Sequence, residues 1–139
     1  MADGMYEVIA LIPEASDFSL DAAVAHFGAL RKGRLPAELA TAKGKRKPTG
    51  FRVSFGDWSV VAWLESGEEV LADSQELATT RKGRPAKAEV IAACSRRLSV
   101  WSDEDAEADH TDDWIDYIDF LRERFGVFVF DNVNGQWWA

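Results

Sequence analysis

Residues 51–64 constrain the fold most tightly. Phe51-Arg52-Val53-Ser54-Phe55 alternates apolar and polar, Gly56-Asp57 supplies a turn, and Trp58 to Leu64 is strongly apolar. A period of two marks a strand with one buried face, and a short Gly-containing break between two such runs closes a β-hairpin. The second arm, apolar along nearly its whole length, reads as a central strand. A hairpin of this kind cannot stand alone in water, so the other segments must extend its sheet and cover it.

Met5 to Ile12 is rich in β-branched and apolar residues and stops at Pro13, as a buried strand does. Ser19 is placed to cap a helix in which Leu20, Ala23, Val24, Phe27 and Leu30 recur at helical spacing, ending near Gly33. Leu35 to Ala42 reads as a short second helix after Pro36, followed by a basic loop from Lys43 to Pro48. Ser66 with Glu69 resembles a capping box for a helix through Val70, Leu71, Leu77 and Ala78, closed by Arg81-Lys82-Gly83-Arg84-Pro85. Ala86 to Ser95 is a further helix carrying Val90, Ile91 and Cys94, and Leu98 to Trp101 alternates as a strand. Thr111 caps the last helix, Gly126 stops it, and Val127 to Phe130 forms a strand. Asn134-Gly135 is a two-residue turn that folds Trp137-Trp138 back on that strand.

This order predicts one α+β domain spanning residues 1–139: two layers, a mixed or mainly antiparallel sheet of about five strands, and helices mostly on one face. Six Trp, eight Phe and two Tyr supply ample core volume, so no staple is required. The single Cys94 cannot form an intramolecular disulfide, and no apolar leader precedes the first strand, which predicts a cytoplasmic protein. Apolar runs are only a few residues long, far short of the roughly 20 a membrane helix needs, so no membrane association is expected.

Charge alternates in blocks. Residues 31–52 hold eight Lys or Arg against one acid and 81–102 six against one, whereas 1–30 and 53–80 hold no Lys or Arg at all. The basic blocks coincide with Gly- and Pro-containing stretches, which makes them loops on one rim and the folded molecule electrically polar. The net charge of −8 disfavours phosphate backbones and hence nucleic acid, although Lys43 to Lys47 and Arg81 to Lys87 could contact phosphate. Arg31-Lys32-Gly33-Arg34 echoes Arg81-Lys82-Gly83-Arg84, and similar helix-ending chemistry accounts for the echo.

The acidic extreme lies between residues 103 and 119, where nine Asp or Glu occur without one Lys or Arg. Asp103, Asp105, Glu107 and Asp109 match the alternate ligand spacing of a calcium loop. Ala108 stands where the sharp-turn Gly belongs and Trp114 where the bidentate Glu belongs, so no metal site is expected. Asp112, Asp116, Asp119 and Glu123 recur at four, three and four residues and share one helix face, opposite Trp114, Ile115, Ile118, Leu121 and Phe125. Like charges at these spacings destabilise a helix, so their retention points to use as a surface for a cation-rich partner. The candidate partner-binding residues are therefore Asp103, Asp105, Glu107, Asp109, Asp112, Asp113, Asp116, Asp119 and Glu123.

No nucleophile elbow, phosphate loop, dinucleotide fingerprint, zincin motif or Cys pair is present. His26 reads as a helix-surface or boundary residue, His110 as a histidine held among acids, and Cys94 as a buried thiol. The expectation is a non-enzymatic protein that uses no cofactor and binds a basic protein. Small size, acidity, aromatic richness and the lack of a catalytic signature resemble bacterial immunity proteins at the level of class, without any shared motif. That resemblance implies an inhibitor that occludes the active site of a basic toxin, such as a cationic nuclease. The alternative is a small-ligand or nucleotide-binding regulatory domain, with a pocket lined by some of Trp58, Trp63, Trp101 and Trp114.

Overall fold

A computed structural model describes residues 5–30, 36–79 and 87–138. In chain order the elements are β1 (Glu7–Ile12), α1 (Leu20–Ala29), β2 (Ala37–Ala40), β3 (Gly50–Phe55), β4 (Trp58–Ser66), α2 (Glu68–Ala78), α3 (Ala88–Ala92), β5 (Arg96–Ser102), α4 (Thr111–Phe125), β6 (Phe128–Asp131) and β7 (Gln136–Trp137). All seven strands form one sheet in the order β2-β3-β4-β5-β1-β6-β7, and every neighbouring pair is antiparallel. The class is α+β, with two more strands than the expected five, both at the sheet edges.

The β3–β4 hairpin forms as its pattern requires: Phe55 faces Trp58 across a turn in which Gly56 takes φ 70°. Its second arm is interior, bonded to β3 on one side and to β5 on the other. β1 alternates cleanly. Val8, Ala10 and Ile12 enter a large cluster with Phe27 of α1 and Tyr117, Ile118 and Leu121 of α4, while Leu11 enters a second cluster with Ile91 and Cys94. Leu77 and Ala78 of α2 pack against that second cluster.

Helices therefore cover both faces, α1 and α4 on one and the α2–α3 pair on the other, which corrects the expected two-layer arrangement. The physical reason lies in β1 itself, where Ile9 and Leu11 leave the second face too apolar to be solvated. That face is only partly covered, and Trp101 at its open end is 40% exposed.

Several local expectations are corrected by pairing. Residues 37–40, read as part of a helix, form β2 along the outer edge of β3, with Ser54 N–H donating to the Pro36 carbonyl. A segment this short has too few internal hydrogen bonds to hold a helix, and the open edge of β3 offers it a complete ladder. Ser66 does not cap α2, because it is the last residue of β4 and pairs with Arg96. Gly67 is the N-cap instead, at a φ of 121° that side-chain-bearing residues avoid.

Ser19 does cap α1, its hydroxyl accepting from Ala22 N–H, and the helix ends at Ala29 rather than near Gly33. α3 is shorter than the expected Ala86–Ser95, and Val90 faces solvent while Ile91 and Cys94 are buried. His110, not Thr111, is the N-cap of α4. The β6–β7 connection is a four-residue loop over 132–135 rather than a two-residue turn, because the Asp131 carboxylate accepts from Val133 and Asn134 N–H and winds the chain there. The closing segments at Arg31–Leu35 and Arg81–Pro85 lie outside the described residues.

None of the described helices is long and apolar enough to cross a membrane.

Candidate acidic docking face

α4 is fixed to the sheet by Trp114, Tyr117, Ile118, Leu121 and Phe125, all buried. Tyr117 stacks on Phe27 at 5.0 Å, and Phe125 meets Phe18 edge-on at 4.9 Å. Acids in its first turn and Arg122 and Arg124 in its last complement the helix dipole, so the charge order along α4 favours the helix. Its inner face differs from the sequence expectation at one position: Tyr117 takes an inward place, and Ile115 is 40% exposed. On the helix surface Ile115 lies one turn from Asp112 and Asp119.

The loop entering α4 is anchored by its own acids. Asp105 is 7% exposed; it accepts the Tyr6 hydroxyl at 2.7 Å, and both its carboxylate oxygens lie 3.1 Å from His110 N. Asp103 accepts from Ser59 N–H at 2.9 Å and from its hydroxyl at 3.0 Å, which ties the loop to the start of β4. Ala108 sits at φ 57°, in the left-handed region, and its N–H donates to the Asp105 carbonyl. A tight turn thus forms there without Gly, at a backbone cost of about 1 kcal/mol. Among the described residues no three His, Cys, Asp or Glu side chains converge as a metal site.

His110 completes the anchor. Its ring lies parallel to Trp58 at 4.7 Å, and Nδ1 is 2.9 Å from Asp113. The bond to Asp113, then the nearby charges of Asp113, Asp105 and Asp57, raise the imidazole pKa. Protonated His110 therefore stabilises the fold fully below its ordinary value near 6.5, and that contribution is lost as pH rises through the raised folded value. NMR titration of the imidazole should show a midpoint above 6.5 in the native protein that falls toward 6.5 in Asp113→Asn; an unchanged midpoint would contradict the pairing.

The nine candidate residues thus fall into two sets. Asp105 faces inward, and Asp103 and Asp113 are held by Ser59 and His110. Asp112 and Glu123 are exposed, Asp116 and Asp119 half-buried, and Glu107 and Asp109 project from the exposed loop. Asp119 lies 3.8 Å from Arg122. The sequence pattern missed His110 over Trp58, which depends on a contact across 52 residues, and it missed exposed Ile115.

The basic loop from Lys43 to Lys47 is exposed and leads into Gly50 opposite Trp63, whereas Asp103 pairs with Ser59 at the other end of β4. The two charge blocks therefore sit at opposite ends of that strand. Of Arg81 to Lys87 only Lys87 is described.

The four tryptophans, some of them expected to line a pocket, divide between the two faces of the sheet. Trp58 and Trp114 flank Tyr6 on the α4 side at 6.3 and 5.3 Å, while Trp63 and Trp101 alternate onto the opposite face of the sheet. His26 is half-buried between Phe27 and Phe125, and burial, followed by the Arg124 charge, lowers its pKa. Burial pushes the Cys94 thiol up to about 11, so it stays protonated at neutral pH. No known family model, curated protein or solved structure matches the chain.

Proposed function

We propose that this chain is a non-catalytic, cytoplasmic protein-binding module that docks a basic protein on the outer face of α4. The observation that carries the reading is Ile115, 40% exposed at the margin of the acidic row on a helix whose inner side chains are buried, with Asp112 and Asp119 one turn away. An exposed apolar residue bordered by carboxylates suits an interface with an apolar anchor and a polar rim. Carboxylates in the rim steer a cationic partner and raise the encounter rate, while the apolar centre sets the lifetime of the complex.

The specific form we propose is an immunity-type inhibitor that occludes the active site of a basic toxin. A toxin that acts on nucleic acid carries a cationic substrate channel, which an anionic helix complements in both charge and shape. Secure attachment of α4 through five buried side chains supports this use, because a rigid docking helix loses little conformational freedom on binding.

A tagged-protein pull-down at low and high salt identifies the partner, and stopped-flow association kinetics then test the face. The combined substitutions Asp112→Asn, Asp116→Asn and Asp119→Asn should slow association about tenfold at low ionic strength, with the difference shrinking as salt rises. Ile115→Ala should leave the on-rate nearly unchanged and accelerate dissociation. Equal rates for the wild type and the triple variant would reject this surface.

A further inference from the structure

A cleft of about 120 Å³ opens where the start of β1, the β6–β7 loop and α4 meet. Its aromatic walls are Tyr6, Trp114 and Trp138, and its acidic groups are Glu7 and Asp131; among the described residues lining it none is Lys or Arg. We propose that this cleft binds the head group of an organic cation, an alkylammonium or guanidinium. The site is separate from the outer face of α4 and does not depend on the docking reading.

Three features fit that ligand chemistry and disfavour others. The first is aromatic surface held in place. Tyr6 stacks on Trp114 with centroids 5.3 Å apart and planes inclined by 24°, and its hydroxyl is fixed by Asp105 and Thr111. Trp114 is 5% exposed and lines the cleft with its ring near-parallel to Tyr6 and to Tyr117, while half-buried Trp138 packs against the main core and is tied to β6 by a backbone bond to Val129. Ring faces attract cations through their quadrupole, and most strongly where water is partly excluded.

The second feature is the disposition of the carboxylates. Asp131 accepts from Val133 and Asn134 N–H, each at 3.0 Å, and from the Asn134 side-chain amide at 2.8 Å. Glu7 accepts from the side-chain amide of Asn132. Both acids are therefore oriented by neutral donors, and among the described residues no Lys or Arg is paired with either, which repels anions and attracts cations.

Size is the third. A cleft this small lies below the roughly 300 Å³ of ordinary small-molecule sites, so it takes a head group rather than a nucleotide or other large ligand. A free quaternary amine and a Lys or Arg side chain of another protein present the same chemistry here.

The test is a ¹H–¹⁵N NMR titration with choline, with its neutral isostere 3,3-dimethylbutan-1-ol, and with N-acetyl-arginine amide. Choline or the arginine derivative should saturate with shifts centred on the Trp114 and Trp138 indole N–H groups, at least tenfold tighter than the neutral isostere. Tighter binding of choline than of the arginine derivative would point to a free amine, and the reverse to a protein side chain. Glu7→Gln, which preserves an acceptor for Asn132, should weaken cation binding several-fold while leaving the remaining spectrum in place. Trp138→Leu should abolish saturation in a protein whose spectrum remains dispersed. The proposal is overturned if neither cation saturates by about 20 mM, if the isostere binds equally well, or if both variants bind as the wild type does.

Discussion

Gly50→Ala is expected to lower the free energy of unfolding by about 3 kcal/mol, seen as a fall in the urea midpoint of about 1.5 M. Gly50 is buried and pairs with Trp63 across the hairpin; a Cβ there would lie 2.3 Å from the Ala62 carbonyl oxygen and 2.6 Å from the Trp63 ring. The closest obstacle is backbone, so relief requires β3 to move away from β4, and the ladder at that end of the hairpin weakens. Gly28→Ala provides the internal control. In α1 the same added methyl meets nothing within 4 Å, and alanine's better helix propensity should raise stability by about 0.5–1 kcal/mol. Opposite signs for one chemical change would locate the effect in the close approach of Gly50 to the Ala62 carbonyl and the Trp63 ring. Loss of stability in both variants would refute that account.

The elements legible in the sequence are those whose signal is local. The β3–β4 hairpin is specified by alternation either side of Gly56, and the start of α1 by the Ser19 cap and the spacing of Ala23 and Phe27, so the hairpin and the start of the helix appear where the pattern places them. β2 was not legible because Ala37 to Ala40 has no intrinsic strand preference and is extended only through its partner β3. Ser66 misleads for a similar reason: its hydroxyl satisfies a capping pattern, yet its backbone belongs to the ladder with β5. The second helical layer could have been inferred from Ile9 and Leu11, which make β1 apolar on both faces, a signal that the order of elements alone does not carry.

The candidate face was legible in composition and only partly in geometry. Helical spacing places Asp112, Asp116, Asp119 and Glu123 together, and all four lie on the outer side of a packed helix. Charge counting treats Asp103, Asp105 and Asp113 as equivalent to them, whereas these three form local bonds with Ser59, with Tyr6 and His110, and with the His110 ring. Ser59 and Tyr6 lie 44 and 99 residues from their acids in the chain, beyond the reach of any spacing rule, whereas the His110–Asp113 pair is an i,i+3 neighbour. Four tryptophans likewise count as one aromatic group in the sequence, but the pleat divides them between two faces.

The separation of the acids bonded within the loop from those on the outer face of α4 leads to the second large effect. Asp105→Ala should cost about 3 kcal/mol, because it removes an almost fully buried acceptor that joins the start of β1 to the N-cap of α4. The Tyr6 hydroxyl retains Thr111 at 3.0 Å, so the larger part of the loss falls on the His110 backbone N–H, left without its carboxylate at the mouth of the helix. Asp105→Asn keeps one acceptor oxygen but brings an amide donor against two donors, and should recover no more than about half of the deficit. Combining Asp105→Ala with Tyr6→Phe gives a double-mutant cycle whose coupling should be about 1–2 kcal/mol if the 2.7 Å bond contributes as its geometry indicates. The association rate supplies the contrast: on the proposed reading, at equal folded concentration Asp105→Asn should bind a basic partner nearly as fast as the wild type, whereas neutralising Asp112, Asp116 and Asp119 should slow it. If Asp105→Asn slows association as much as the outer triple variant does, total charge rather than the α4 face governs the encounter, and the two sets of acids are not functionally distinct.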